Sequence, residues 1–157
     1  MTDDFSKRAL KVFPIVAFIC NRHLIDHMRR VSNDLGVDLE TAYIWGIVAH
    51  LSLLDKITPA STQSDILDAR STFSDRMNPL RLADISSVTG LPRETVRRKL
   101  LKLETQNKIM KTVDGKWVLV EAGISQKDID FTIDSVKRLI TTAKQIETLL
   151  SQVDAST

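Results

Sequence analysis

The chain has 157 residues, of which 43% are hydrophobic and 27% charged, a composition that excludes wholesale disorder and is typical of a globular protein. Its single cysteine, Cys20, excludes an internal disulfide framework and fits a cytoplasmic location. The apolar run over 12–20 is too short to span a bilayer and lacks a cleavage site, so we expect a buried helix there.

The first part of the chain is predicted to be helical, because glycine and proline are scarce. We expect one helix over 5–33, bent at Pro14, and a second over 38–54 that is buried on most sides. Together they form an N-terminal segment, residues 1–54, for the core and for dimerisation. A polar loop over 55–79 follows, which is unusually long for a compact domain.

From Pro79 onward the signals for secondary structure are sharper. A short helix over 80–88, a tight turn at Gly90 and a helix from Pro92 to about Asn107 come in succession. Two β-like runs follow, 109–113 and 116–120, joined by the strong hairpin signal Asp114-Gly115. This order predicts a winged helix-turn-helix over 80–121, in a fold that is mainly α.

The last segment, 124–153, is predicted to be one long helix. Its apolar residues alternate at spacings of four and three, close to the period of a coiled seam: Ile129, Ile133, Val136, Ile140 and Ala143. We expect this helix to dimerise, because a single winged helix reads too few base pairs for useful specificity.

Positive charge is concentrated in one segment. Between Leu91 and Lys116 there are eight basic and three acidic residues, whereas the formal net charge of the whole chain is only +2. A basic segment on a slightly acidic body is typical of a protein that binds a polyanion.

The segment from Ala83 to Lys116 resembles the DNA-binding domain of the catabolite-activator (Crp/Fnr) regulators. The likeness lies mainly in the string Gly-Leu-Pro-Arg-Glu-Thr-Val over 90–96, followed by Arg98 and by Leu100, Leu103 and Glu104. The resemblance implies that Arg93, Glu94 and Arg98 read base edges in the major groove. The chemistry agrees, since Arg can bond both acceptors of guanine and Glu can accept from the amino group of cytosine.

Contacts to the DNA backbone are assigned to residues beside these three. Thr95, Arg97 and Lys102 flank the outward face of the helix, and Lys111 and Lys116 belong to the hairpin. The sequence departs from the Crp/Fnr pattern in lacking the cyclic-nucleotide domain and in having Pro92 where a hydroxyl residue often contacts phosphate. The long helices on either side resemble the architecture of the MarR group, in which terminal helices join two subunits.

Other interpretations have weaker support in the sequence. His23 and His27 have the spacing of a metal pair but no third ligand, and Phe18, Tyr43 and Trp45 are better explained as core than as an effector pocket. Cys20 lies in an apolar run, where a buried thiol is usually inert. No catalytic motif is present, and no cofactor is implied.

The sequence therefore predicts a cytoplasmic, non-enzymatic transcriptional regulator that binds double-stranded DNA as a homodimer on an inverted-repeat operator. The alternative is a non-catalytic adaptor whose winged helix binds a protein partner. A small-molecule effector is compatible with either function but has no support in the sequence.

Overall fold

A computed structural model of the protein describes residues 4–53 and 78–155. Within these ranges the chain is mainly helical and contains one two-stranded antiparallel hairpin, which confirms the predicted fold class at this level. The chain divides into two compact units. The helical unit comprises the residues up to Gly36 and from Lys127 onward, and the hairpin unit comprises Val37–Gln126.

The described elements follow one another in a simple order. They are α1 (Asp4–Lys11), α2 (Phe13–Asp34), α3 (Leu39–Leu53), α4 (Leu82–Thr89), α5 (Arg93–Thr105), β1 (Ile109–Lys111), β2 (Trp117–Leu119), a 3-10 turn (Glu121–Gly123) and α6 (Gln126–Ala155). Of the predicted loop over 55–79, all but Asn78 and Pro79 lies outside the described residues. Within the described ranges, the helices are either too short or too polar to cross a membrane.

The first predicted helix, 5–33, is in fact two helices, α1 and α2. The chain breaks at Val12, whose backbone has φ −121° and ψ 26°. Pro14 lies in the first turn of α2, where its missing N–H would have had no intrahelical acceptor. In a continuous helix that N–H would be needed and the ring would clash with the preceding turn, so the helix breaks instead of bending.

The apolar run over 12–20 is not buried, contrary to expectation. Phe13, Ile15 and Phe18 are 59%, 50% and 64% exposed. The prediction was wrong because an apolar run shows that burial is favoured, but not that the same chain supplies the covering surface.

In the helical unit, α2 and α6 lie side by side and antiparallel. Arg30 contacts Asp134 at 2.9 Å, Arg138 contacts Asp26 at 3.2 Å, and Arg22 donates to Gln145 at 3.1 Å. The contacts that join these two helices are therefore largely polar.

The hairpin unit has a dense apolar core. It is formed by Ile44, Val48, Ile85, Val96, Leu100, Leu103, Ile109, Trp117 and Leu119. Helix α3 contributes the fully buried Ile44 and Val48, while Tyr43 is 48% exposed. It therefore has one buried face, rather than being buried on most sides as its sequence predicted.

Two elements of this unit differ from prediction at their ends. Leu80, predicted to be helical, instead forms a β-bridge with Trp117, with two N–H···O bonds of 2.8 Å. It pairs with the edge of β2 that β1 leaves open, so its backbone groups are satisfied without a helix. The hairpin itself pairs Ile109 with Leu119 and turns at Gly115, whose φ is 79°; both strands are shorter than predicted.

Helix α5 begins and ends one or two residues inside its predicted bounds. Pro92 is its N-cap, with ψ 138°, and not its first helical residue. At the other end Asn107 has φ 57° and donates to the carbonyl of Glu104, while Lys108 N–H bonds to Leu103. This is a Schellman arrangement, which stops the helix and turns the chain into β1.

Candidate nucleic-acid interface

The direction in which α5 presents its side chains is set by the apolar core. Val96, Leu100 and Leu103 are fully buried, and they recur every three or four residues, which places them on one face of the helix. The opposite face consequently points away from the core. The sequence predicted this division from the spacing alone.

The turn before α5 is held by local hydrogen bonds. Gly90 adopts φ 69° and donates to the carbonyl of Ser86 at 3.0 Å. The hydroxyl of Ser86 donates to the carbonyl of Leu91 at 2.7 Å, and that of Thr89 to the carbonyl of Ile85 at 2.8 Å. These bonds fix the angle at which α5 leaves α4, so its first turn is presented in a defined orientation.

The three side chains predicted to read bases are all exposed. Arg93 and Glu94 lie on the first turn of α5 and Arg98 on the second. Neither arginine side chain forms a hydrogen bond or ion pair with any residue in the part of the chain that the structure describes. Their donors are thus available to an external acceptor.

Glu94 is engaged by a neighbour on the same helix. Arg97 Nε lies 2.8 Å from Glu94 Oε2, and Arg97 Nη2 lies 2.7 Å from Oε1. These hydrogen bonds, together with the charges of Arg97 and Arg98, lower the pKa of Glu94. The same hydrogen bonds and the charge of Glu94 raise the pKa of Arg97. Both groups are charged at neutral pH, and the pair cancels one positive charge on this face.

Among the predicted phosphate-binding residues of α5, Lys102 is turned away from the outward face. Its ammonium lies 3.0 Å from Asp38 Oδ2, and that of Lys99 lies 2.6 Å from Asp38 Oδ1 and 3.2 Å from Glu40. Thr95 is half-buried. The side chains of Arg97 and Lys102 are similarly exposed, at 50% and 45%, but that of Lys102 is held by Asp38.

Asp38 has a structural role that the sequence analysis missed. Its carboxylate accepts from the N–H of Thr41 at 2.9 Å and from the Thr41 hydroxyl at 2.8 Å, which caps the start of α3. Burial alone would raise the pKa of Asp38, but the hydrogen bonds from Lys99, Thr41 and Lys102 lower it far below its usual value. The capping pattern is visible in the sequence, whereas the pairing with lysines more than sixty positions away is not.

The hairpin presents two of the predicted lysines. Lys116 Nζ lies 2.7 Å from Asp114, whose carboxylate also accepts from the Thr112 hydroxyl at 2.6 Å. Lys111 is exposed and its ammonium lies 5.6 Å from the centre of the Trp117 ring. Both ammonium groups can reach solvent, although that of Lys116 is partly neutralised.

The other sequence-derived candidates are placed as follows. The rings of His23 and His27 stack at 6.4 Å, and burial, then His23 and Arg30, lower the pKa of His27. No group of three metal-binding side chains occurs in residues 4–53 and 78–155. Of the three aromatic residues expected in the core, only Trp45 packs against the core of the hairpin unit, whereas Phe18 and Tyr43 are exposed and lie in different units. Cys20 is half-buried.

Comparison of the chain with protein-family models, with curated proteins and with solved structures gave no match.

Proposed function

We propose that this chain is a transcriptional regulator of the winged helix-turn-helix type that binds double-stranded DNA sequence-specifically, as a homodimer on an inverted-repeat operator. The observation that carries the proposal is the exposure of Arg93, Glu94 and Arg98 at the start of α5, where Glu94 and Arg98 lie opposite the buried Val96 and Leu100. Arginine and glutamate are residues that distinguish base pairs through the major groove.

The order of elements supports this function. Helix α4, the turn at Gly90 and helix α5 are followed by a hairpin, and Leu80 pairs with the free edge of that hairpin through a single β-bridge. In such an arrangement the second helix enters the major groove, the first crosses the backbone and the hairpin lies beside it. Thirteen residues make α5 about 20 Å long, enough to follow the groove over several base pairs.

The ion pairs of the free protein suggest which side chains contact phosphates and which contact bases. Lys99 and Lys102 are held by Asp38 and brace α5, so we assign phosphate contacts chiefly to Arg97, Lys111 and Lys116, with Thr95 beside them. Within residues 4–53 and 78–155, the side chains of Arg93 and Arg98 have no hydrogen-bond or ion-pair partner to give up. Glu94 must exchange Arg97 for a base, which favours sites where cytosine offers its amino group.

The test is selection of duplexes from a random pool by the full-length chain, followed by titrations at several salt concentrations. We expect an inverted-repeat consensus whose half-sites lie about one helical turn, roughly 34–36 Å, or a multiple of it apart. A scrambled duplex of equal length and composition is the control. Failure to enrich any sequence, or weak and unsaturable binding of duplexes, would reject the proposal and favour the protein-interaction adaptor.

A further inference from the structure

A polar cleft of about 530 Å³ lies between α2 and α6 in the helical unit. Helix α2 supplies Arg22, His23 and Asp26 to its wall, and α6 supplies residues between Asp134 and Gln145, all with charged or hydrogen-bonding side chains. Helices that pair in water normally bury apolar side chains against each other, so this polar wall is unusual. The volume of the cleft is within the range of about 300–1,000 Å³ that is typical of small-molecule sites.

The two carboxylates on the wall of the polar cleft are each held by two arginines. Asp26 accepts from Arg29 at 3.0 Å and from Arg138 at 3.2 Å. Asp134 contacts Arg138 at 2.8 Å and Arg30 at 2.9 Å. The hydrogen bond from Arg29 lowers the pKa of Asp26, and that from Arg138 lowers the pKa of Asp134. Both carboxylates are therefore ionised at neutral pH, and they fix the positions of the arginines around the cleft.

Positive charge exceeds negative charge around the polar cleft. Five basic and three acidic residues line it or pair with a residue that lines it: Arg22, Arg29, Arg30, Lys137 and Arg138 against Asp26, Asp34 and Asp134. Each acidic residue contacts at least one arginine, whereas Arg22 and Lys137 pair with no carboxylate in the part of the chain that the structure describes. An excess of positive charge in a concave polar site favours an anionic ligand.

Several hydrogen-bond donors of the polar cleft are not used within the described residues. Arg22 Nη2 donates to Gln145 Oε1 at 3.1 Å, which engages one donor of the guanidinium and leaves the amide nitrogen of Gln145 without an acceptor in residues 4–53 and 78–155. The ammonium of Lys137 forms no hydrogen bond or ion pair with those residues. These donors come from both helices, so a bound anion can be contacted from two sides.

The spacing of these donors indicates the size of the anion. Gln145, which marks the position of Arg22, lies eight residues after Lys137, about 12 Å along the helix axis. One isolated carboxylate or phosphate is too small to contact both ends, whereas two linked phosphates extend further and carry more charge. Guanidinium groups bind phosphate through paired hydrogen bonds, and lysine binds it as a point charge.

We propose that the polar cleft between α2 and α6 binds a small molecule that carries a diphosphate group. Arg22 and Lys137 contact its oxygens from the two ends of the cleft, and the Gln145 amide is a further donor. Arg138 borders the site but is held by the two carboxylates. The proposal does not depend on the proposed DNA-binding function, because all these residues belong to the helical unit.

The first test is isothermal titration calorimetry of the full-length chain with sodium pyrophosphate, at an ionic strength kept constant with sodium chloride. We expect saturable binding to the wild type. Lys137→Gln should weaken it on the order of 10-fold, because one charge-assisted contact is lost. The side chain of Lys137 has no partner to lose among the described residues, so this variant should fold as the wild type does.

Lys127→Gln is the matched control, because it removes a lysine from the same helix. Lys127 is exposed and lies ten residues before Lys137, about 15 Å along the axis, which exceeds the screening length of about 8 Å at physiological salt. Its affinity for pyrophosphate should stay close to that of the wild type. The absence of saturable binding, or a Lys137→Gln variant that binds no more weakly than Lys127→Gln, overturns the proposal.

The location and the class of ligand are tested separately. The face of α5 that carries Arg93 and Arg98 is a second basic surface, so backbone amide signals are followed by NMR during the titration. We expect shifts over 22–26 and 134–145, and shifts confined to 93–98 would overturn the proposal. Succinate, a dicarboxylate, should bind much more weakly than pyrophosphate, and equal affinity would show that the cleft does not select phosphate.

Duplex DNA is the other source of linked phosphates. Lys137→Gln should leave the affinity for a scrambled duplex and its salt dependence unchanged. A lower affinity together with a smaller salt slope would show that the cleft contacts the DNA backbone, and the small-molecule proposal would then be wrong. A chain that binds pyrophosphate in the cleft but binds no duplex would contradict only the proposed function.

Discussion

The ammonium of Lys99 on α5 lies 2.6 Å from the carboxylate of Asp38, the residue that caps α3. Lys99 directly follows Arg98, so this contact restricts the rotation of α5 about its axis and hence the direction in which Arg98 projects. One carboxylate thus connects the packing of the hairpin unit to the geometry of the proposed DNA-reading face.

Replacing Asp38 should destabilise the protein in a pH-dependent way. Asp38→Asn keeps an acceptor for the Thr41 N–H but loses the ion pairs with Lys99 and Lys102. We expect a loss of about 1 kcal/mol at pH 7, a modest value because the Asp38 side chain is 43% exposed and solvent screens the pairs. Urea unfolding followed by tryptophan fluorescence measures it.

The sign of the pH effect follows from the lowered pKa of Asp38. A carboxyl whose pKa is lower in the folded state stabilises that state above its unfolded pKa, and this contribution falls on acidification. The difference between wild type and Asp38→Asn should therefore be full at pH 7 and shrink as the pH falls from about 4 towards 2. Asp84→Asn, which breaks only an exposed 3.6 Å pair with Arg81, should cost less. A difference that grows in acid would refute this account.

Arg98→Ala should weaken binding to the selected operator by roughly 1–3 kcal/mol, because a bidentate contact to guanine would be lost. Binding to a scrambled duplex should change much less, since only one positive charge is removed. Fluorescence anisotropy on both duplexes measures the two effects. Equal losses on both would contradict a base-reading role for Arg98.

Lys116→Ala is the matched comparison, because it also removes one positive charge but from the hairpin. We expect it to weaken operator and scrambled duplex alike and to lower the slope of log affinity against log salt by up to about one. The Asp114 pair should make the observed decrease smaller than for an unpaired lysine. Loss of affinity for the operator alone would argue against this backbone role.

Glu94→Ala should make binding tighter but less selective. The substitution removes a negative charge from the DNA-facing side and releases Arg97 from its two hydrogen bonds, so that Arg97 can reach a phosphate. Affinity for random duplexes should rise and the salt slope should steepen by about one, while discrimination at one base pair falls by roughly 1–3 kcal/mol. Unchanged affinity for random duplexes would show that Arg97 is not available to DNA.

Gly123→Ala should destabilise the hairpin unit. A Cβ at this position would lie 1.8 Å from the carbonyl oxygen of Asn107, so the backbone around the end of α5 must shift, at a cost of about 1–3 kcal/mol or more. Gly46→Ala is the control: it lies inside α3, a Cβ there meets no atom within 4 Å, and a gain of about 0.5–1 kcal/mol is expected. Thermal unfolding of both variants measures the change in stability relative to the wild type. If both substitutions stabilise the protein, or both destabilise it, this prediction is wrong.

The local features of this protein were predictable from its sequence. The buried face of α5, the turn at Gly90 and the hairpin turn at Gly115 all depend on residues within a few positions of one another. Apolar periodicity and the backbone freedom of glycine decide such features before any tertiary contact forms. The same reasoning identified Glu94 and Arg98 as outward-facing, whereas Arg93 was assigned to base reading only by the resemblance to the Crp/Fnr regulators. The structure places all three side chains on the surface.

Tertiary structure decided the features that join distant positions. The Leu80–Trp117 bridge, the contacts of Lys99 and Lys102 with Asp38, and the close approach of Gly123 to Asn107 each depend on the folded path of the chain. Likewise, Phe13, Ile15 and Phe18 are exposed although the apolar run over 12–20 predicted burial. Apolar periodicity shows which face of a helix favours burial, but the surface that covers this face is set by long-range packing.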